Sequence, residues 1–525
     1  MIDTAALREK VLDLAIRGKL VPQDPTDEPA SVLLERIHEQ KLQMVREGKL
    51  KAKDVKDDAI IFKGDDNCYY EKFSDGTIKN IQDEIPFDLP NGWSWSRISS
   101  IGTTNIGLTY KPTDIANEGI IVLRSSNIKN GKIDLTDLVR VKTIIRENQF
   151  VEQNDIVICA RNGSKALVGK CAIFNLAMSE SASFGAFMAI LRTTFYDYVY
   201  YFLNTQLFRN ILNSDDSKQI NQLTQDMLKN TLIPFPPQNE QRKIVSALNE
   251  IMHQISSIDN NANAVEHTKE VLKSRILELA IQGKLVPQDE NDEPASVLLE
   301  RIRAERKAKL GKKCVESYIY KGDDNCYYEK VGSTTKNITA EIPFDIPNSW
   351  SWIRLSNITT LITKGTTPRG DAYAYTNSGI GFLRAENIVG FDKISKKDLK
   401  YVNEATHYNF LKRSILEEND ILITIAGTLG RTGMVIKEDL PLNANQAVSI
   451  VRVVNGYKID LLYLIFVLNA PIIKKYLLSK SVEMAIPNLS LENISDCVIP
   501  LPPFQEQYNI TKKINQLFDI LKGGD

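Results

Sequence analysis

The sequence predicts an α+β fold: two mixed α/β domains in a pseudo-two-fold arrangement, joined by long antiparallel coiled-coil helices. Three observations predict it. They are a half-chain duplication, a long heptad seam, and two divergent inserts in which short strand-like runs alternate with glycine-rich polar loops.

The duplication is explicit. GKLVPQDPTDEPASVLLERI at 18–37 returns 265 residues later as GKLVPQDENDEPASVLLERI at 283–302, with differences only at positions 25 and 26 of the first copy. KGDDNCYYEK recurs at 63–72 and 321–330, and EIPFDLPNGWSW at 84–95 answers EIPFDIPNSWSW at 341–352. The match then thins to a skeleton, Leu123-Arg124-x-x-Asn127-Ile128 against Leu383-Arg384-x-x-Asn387-Ile388, and sharpens again at IPFPPQNEQ (233–241) and IPLPPFQEQ (499–507). Each half is a near-constant frame around a divergent insert, which suggests one mechanical job done twice and two different recognition jobs.

The first frame element to justify is the helix at 240–282. Apolar residues at Ile244, Leu248, Ile251, Ile255, Ile258, Ala262, Val265, Leu272, Ile276 and Leu279 keep a 4-3 spacing missed only at Lys269, the mark of a coiled-coil seam. No proline or glycine interrupts its 43 residues, so the helix would run about 65 Å at 1.5 Å per residue, with Gly283 as its stop. Ile510, Ile514, Leu517 and Leu521 repeat its opening seam, and Leu7, Val11 and Leu14 its closing seam. The duplication is therefore cyclic: 506–525 followed by 1–17 form a second, nicked equivalent. A second frame helix is expected at 29 to about 45 and at 294 to about 310, with proline in the first turn and Asp27 or Asp292 as cap candidates. In the inserts the strand-like runs are 120–123, 156–159, 421–425 and 448–454, and helical stretches lie near 197–212 and 459–479. Proline pairs, Pro236-Pro237 and Pro502-Pro503, end each insert. The expected boundaries are 1–84 for the N-terminal frame helices and a linker, 85–237 for the first insert domain, 238–341 for the central frame (long coil helix, second helix and linker), 342–503 for the second insert domain and 504–525 for the C-terminal frame helix.

Composition narrows the function. The 525 residues carry 43% hydrophobic and 25% charged side chains, values typical of folded globular proteins. A net charge of −1 provides no chain-wide positive field to hold a polyanion, so nucleic-acid binding would have to come from local patches. The apolar run at 461–468 is broken by Asn469 and Pro471, short of the roughly 20 residues a membrane helix needs. MIDTAALREK has no signal-peptide pattern, so the expectation is a cytoplasmic protein with no membrane contact. Six scattered cysteines read as reduced thiols.

Catalytic chemistry is not evident. The four histidines (38, 253, 267 and 407) form no cluster, and Gly427-Thr-Leu-Gly430-Arg-Thr-Gly433 matches neither the phosphate-loop nor the dinucleotide spacing. Leu501-Pro-Pro-Phe504 resembles an amino-methyltransferase motif but has leucine where a polar acceptor is required. The Arg369-Gly370-Asp371 triplet carries no meaning for a cytoplasmic protein.

What the inserts do offer is loop chemistry suited to base edges and phosphates. Arg124, Asn127, Arg161, Asn162, Ser164 and Lys165 stand in the first, and Lys364, Thr366, Thr367, Arg369, Arg384, Asn387, Thr428 and Arg431 in the second. Arginine can pair with guanine and asparagine with adenine in bidentate fashion, while lysines and hydroxyls fix the backbone. Residues 101–233 carry 14 basic and 12 acidic side chains, and 357–499 carry 16 and 14, a slight positive excess in each.

Two divergent domains, each closed by Pro-Pro-x-x-Glu-Gln (Pro236-Pro237-Gln-Asn-Glu240-Gln241; Pro502-Pro503-Phe-Gln-Glu506-Gln507) and each leading into a coil helix, resemble the DNA-specificity subunit of type I restriction-modification systems. The Asn-Asp-Ile-Leu-Ile-x-x-x-Gly-Thr stretch at 419–428 and Asn-Leu-Ser at 488–490 resemble that family's target-recognition-domain signatures. The first insert departs from them: Arg161-Asn162-Gly163-Ser164 stands where the second has Ile425-Ala426-Gly427-Thr428. The resemblance implies a non-catalytic subunit whose two target recognition domains each read half of a split double-stranded DNA sequence. Its helices would serve as a ruler and dock two modification (methyltransferase) subunits that use S-adenosylmethionine to methylate adenine N6. A restriction (motor-nuclease) subunit using ATP and magnesium would join them, and no cofactor or metal would sit in this chain. A protein-only coiled-coil scaffold and a stand-alone divergent DNA-modifying enzyme are the alternatives.

Overall fold

A computed structural model describes residues 2–48, 55, 58–73, 75–175, 180–213, 221–368, 375–454, 459–479 and 488–523. The chain divides into two compact units, Met1–Ala262 and Asn263–Asp525, and the division falls inside one continuous helix, Gln238–Ile281.

Each unit contains one opening and one closing piece of the predicted seam. In the first, the helix Thr4–Ile16 is capped by Asp3, whose carboxylate accepts from the Ala6 N–H at 2.9 Å. It runs antiparallel to the start of the long helix: Thr4 Oγ1 donates to Asp259 at 2.6 Å and Arg8 Nη2 donates to the same carboxylate at 2.7 Å. Val11, Leu12, Ala15 and Ile16 share a core with Ile244 and Leu248. In the second unit the end of the long helix (Leu277, Ala280, Ile281) shares a core with Ile510, Ile514 and Phe518 of the helix Phe504–Lys522. The seam is not continuous, however. Val265 and Leu272 stand 55% and 45% exposed, and they lie in or near the stretch the nicked equivalent lacks. Gly283, at φ +68°, ends the helix. The Lys284 N–H returns to the Leu279 carbonyl at 2.9 Å, and a Cβ on Gly283 would lie 2.5 Å from Pro347.

The second frame helices are Ala30–Arg46 and Ala295–Leu310. The expected aspartate caps are corrected here. Pro29 and Pro294 occupy the cap positions with no side-chain hydrogen bond. The first helical N–H groups instead reach loop carbonyls, Ala30 to Gly92 at 2.8 Å and Ala295 to Ser349 at 2.9 Å. Asp27 accepts from Asn239 instead.

The stretch read as linker carries a three-stranded meander in both units, Ala59–Lys63, Tyr69–Phe73 and Ile78–Asn80 in the first and Ser317–Lys321, Tyr327–Val331 and Thr334–Asn337 in the second. GDDN is its first turn: Asn67 and Asn325 both adopt φ +63°, a left-handed conformation asparagine tolerates. A buried arginine clamps each meander to its insert. Arg97 makes a two-pronged contact with Glu71 at 3.0 and 2.9 Å and reaches Glu84 at 2.7 Å. Arg354 repeats this with Glu329 and Glu341, both through 2.7 Å bonds.

The Pro-Pro-x-x-Glu-Gln motif is also structural. Glu240 and Glu506, 2% exposed, accept from the Trp93 and Trp350 indoles at 2.9 and 2.8 Å. Gln241 and Gln507 donate back to the carbonyls of Pro236 and Pro502. Burial pushes both glutamates above the ordinary carboxylate value, against the opposing pull of the indole bonds.

Each insert is a layered α/β body. In the first, an antiparallel sheet in the order Cys171–Ile173, Ile156–Cys159, Met188–Arg192, Thr103–Ile106 faces a second sheet in which Ala182–Phe184 runs parallel to Ile120–Leu123. Val157, Cys159 and Ile190 meet Ile121, Leu123 and Phe184 between the sheets, while Ile156, Ile158 and Leu191 face a layer that includes the helix Tyr196–Leu203. The second insert repeats this with Thr359–Lys364, Val448–Val453, Ile421–Thr424, Thr432–Met434 and the parallel pair Ile380–Leu383 and Leu442–Ala444. Burial on both faces explains the unbroken apolar runs. The predicted 459–479 helix is two helices, Leu461–Asn469 and Pro471–Ser479, bent by 66°. Among the described residues no single helix is long and apolar enough to cross a membrane.

Candidate nucleic-acid interface

Two short motifs position the loops. Asn154 and Asn419, both at φ +71°, turn the chain into the central strand. The next residue, Asp155 or Asp420, is buried and held by an arginine at the end of the neighbouring strand: Arg192 at 2.8 and 2.7 Å, Arg452 at 2.7 and 2.8 Å. This pair fixes the end of the two strands away from the hairpin loop, 160–170 or 425–431, that follows the central strand.

Four hydrogen bonds bring that loop, the loop after the edge strand and the 185–187 or 445–447 turn together, and they repeat between inserts. Ala160 N–H donates to Phe187 O at 2.9 Å and Ile425 N–H to Ala447 O at 2.8 Å; Leu223 N–H donates to Ala160 O at 2.7 Å and Leu489 N–H to Ile425 O at 3.0 Å. Gly107 N–H reaches Met188 O at 3.2 Å and Gly365 N–H reaches Val448 O at 2.9 Å, while Gly185 and Asn445 donate to Leu123 O and Leu383 O, both at 2.9 Å. Gly107 and Gly365 are required at this crossing, because a Cβ would sit 2.2 or 2.1 Å from a backbone carbonyl. Counting on from the matching strand ends, Cys159 and Thr424, makes Arg161 the equivalent of Ala426 and Asn162 that of Gly427, one position away from the pairing read along the sequence.

The side chains on this shared backbone differ. Arg161 is exposed and stacks over Phe187 at 5.3 Å from the ring centroid. Asn162 accepts from the Ser164 N–H at 3.0 Å and reaches Ser125 Oγ at 3.4 Å. Ser164 and Lys165 are exposed on the same hairpin. In the second insert Lys364 is exposed at the edge-strand end, and Thr367 donates to exposed Gln446. Thr366 is tied down by its N–H to Ala444 O at 3.0 Å. Thr428 is exposed at the hairpin tip and Arg431 is half-buried at its return. Burial and the Arg431 charge push Lys474 below the ordinary lysine value. Arg369 lies outside the described residues.

Asn127 and Asn387 are corrected as candidate base readers. Each is 1% exposed, and each amide is consumed by backbone. Asn127 donates to the Asp134 and Asp137 carbonyls at 3.0 and 2.8 Å and accepts from Arg124 N–H at 2.9 Å. Asn387 donates to Ser395 and Lys397 at 3.1 Å and accepts from Arg384 N–H at 2.9 Å. They staple the turn that presents Arg124 and Arg384. Those guanidinium groups are themselves engaged, Arg124 with Asp137 at 2.8 Å and Arg384 with the Asp398 carbonyl at 3.1 Å and with Glu386. Phe187, Gln222 and Gln446 are exposed on the same loops although no motif singles them out; for Phe187 and Gln446 the signal in the sequence is the alignment of 185–187 with 445–447 under the strand that follows.

The model of the type I restriction modification DNA specificity domain matches residues 90–267 and 347–524. The chain is similar to the specificity subunit of the Escherichia coli type I restriction enzyme EcoAI, 28% identical with 97% of this chain and 88% of that protein covered. It is similar also to the EcoKI specificity subunit of Escherichia coli strain K12, 32% identical over 41% of this chain and 48% of that one. The fold is similar to a chain solved in work on assembly and conformational transition of the type I R-M system, at TM-score 0.55 and 16% identity, with 83% of this chain and 93% of that chain covered.

Proposed function

The chain belongs to the type I restriction modification DNA specificity family, and from that premise we propose that each insert reads one half of a split DNA target independently of the other. It is a specificity subunit, and its inserts are target recognition domains. The observation that carries independent reading is the interface backbone: the same four hydrogen bonds hold both inserts, while Phe187 on them gives way to Ala447 and Arg161, next to Ala160, gives way to Ala426, next to Ile425. A shared scaffold with exchanged side chains is the arrangement expected of two readers with different preferences.

Within this proposal the contacts divide by chemistry. Arg161 in the first insert and Gln446 in the second present planar donor edges, the groups that pair with guanine and adenine in the major groove. Lys165, Lys364 and the Arg431–Lys474 pair carry charge suited to phosphates, which orient the domain without reading sequence. Chemistry falls to partners: two modification subunits holding S-adenosylmethionine, and a restriction subunit using ATP and magnesium. Replacing 101–233 by the matching domain of a relative should change one half of the methylated sequence in host DNA and leave the other intact. A change in both halves, or in neither, overturns independent reading.

A further inference from the structure

We propose that Arg161 reads a guanine in the first half-site and that Phe187 is the positioning residue that holds its guanidinium in the reading geometry. The proposal rests on the DNA-reading function above and names its device in one insert.

Among the described arginines of the two inserts' loops, Arg161 is the one placed over an aromatic ring. Arg124 and Arg384 spend their guanidinium groups on a carboxylate and carbonyls. The Arg161 guanidinium makes no hydrogen bond among the described residues; its side-chain contact is the Phe187 ring, 5.3 Å from guanidinium carbon to centroid. The main chain beneath it is fixed from both sides. Its N–H donates to Phe187 O at 3.0 Å, and Arg161 bridges to Gln222. Phe187 is 60% exposed. A cleft of about 330 Å³, lined by Thr109, Gln222 and Gln225 among others, opens beside the ring.

These features make one device. Stacking on an aromatic face leaves the in-plane N–H groups of a guanidinium free and aimed outward. Two parallel donors in a fixed plane match guanine O6 and N7, the commonest specific arginine contact. Pre-orienting the side chain also removes rotamer entropy that binding would otherwise have to overcome. The second insert has Ala426 and Ala447 at the equivalent positions, so the device belongs to the first half-site alone.

The test uses the full chain assembled with its modification subunits and maps methylated sites in DNA. A guanine should be required at one position of the first half-site. Arg161→Ala should reduce discrimination for guanine there by roughly 5- to 150-fold, with the second half-site unchanged. Phe187→Ala should lower discrimination at the same position by roughly 2- to 5-fold, and Phe187→Tyr should restore it. Adding Phe187→Ala to Arg161→Ala should cost nothing more, because the ring acts through the arginine. Discrimination unaffected by Arg161→Ala, or lost at all positions alike, overturns the proposal. Phe187→Ala lowering discrimination at every position alike would also overturn it, since a ring used for packing alone would show no dependence on position, as would Phe187→Ala and Phe187→Tyr equal in effect. If the 101–233 exchange still redirects the first half-site while these variants do nothing, the device fails and the reading function stands; if the exchange fails too, the reading function falls with it.

Discussion

Asn127→Ala tests whether a residue that looks like a base reader is a structural staple. The side chain makes three hydrogen bonds, donating at 3.0 and 2.8 Å and accepting at 2.9 Å, in a site 1% exposed. Alanine leaves two carbonyls and one N–H without these partners. A typical buried hydrogen bond contributes about 1 kcal/mol net, and an orphaned buried group costs more. Some relaxation of the turn offsets this, so the loss is about 2–4 kcal/mol. At about 2–4 °C per kcal/mol for a body of this size, calorimetry of the full chain should show the melting of the mutated unit fall by roughly 5–15 °C. Asn387→Ala should do the same through its own three bonds. At a temperature where the variant remains folded, the methylated sequence should keep its base identity. A variant that melts like the parent yet accepts a different base in its half-site would refute the reasoning, because the amide would then be at the DNA and not in the turn.

Two further outcomes follow from the frame. Glu240 and Glu506 have carboxyls raised by burial above the ordinary value of 4.5; for a raised group the stabilising contribution is present below 4.5 and is lost as pH rises through the folded-state value. Glu240→Gln, which keeps an acceptor for Trp93, should therefore flatten the decline in stability on raising pH from 4.5 upward. A denaturant series at several pH values checks this, and an unchanged slope in the Glu240→Gln, Glu506→Gln double variant counts against it. Seven residues added within 257–268 extend the helix by about 10 Å, equivalent to about three base pairs, so the non-specific spacer of the target should lengthen; an unchanged spacer in a folded, active assembly would sink the ruler.

The sequence was most informative where a residue's role is periodic or repeated. The cyclic duplication could be read because Ile510 and Ile514 repeat Ile244 and Leu248, and all four are buried at the helix starts. The coil was over-read at Val265 and Leu272, since a heptad pattern states which residues share a face and not whether anything covers it. The meander was missed because its strands are short, and GDDN reads as loop until the Asn67 turn is known to pair Ile61 with Glu71.

The site divided along a physical line. Arginine and asparagine in Arg-x-x-Asn have the chemistry of base recognition, but the same donors and acceptors serve backbone turns, and only burial separates the two uses. Asn127 and Asn387 fell on the turn side because repetition between halves marks what the scaffold needs twice. Residues that read different sequences should instead differ between halves at positions where the backbone does not. Phe187 against Ala447 satisfies that condition, and Arg161 against Ala426 stands one residue past the matching bonds of Ala160 and Ile425; they could not be paired from sequence because the hairpin loops differ in length, 160–170 against 425–431. In a duplicated reader the informative positions are therefore those where the hydrogen bonds of the ladder match and the side chains do not, and locating them requires the register of the strands on either side.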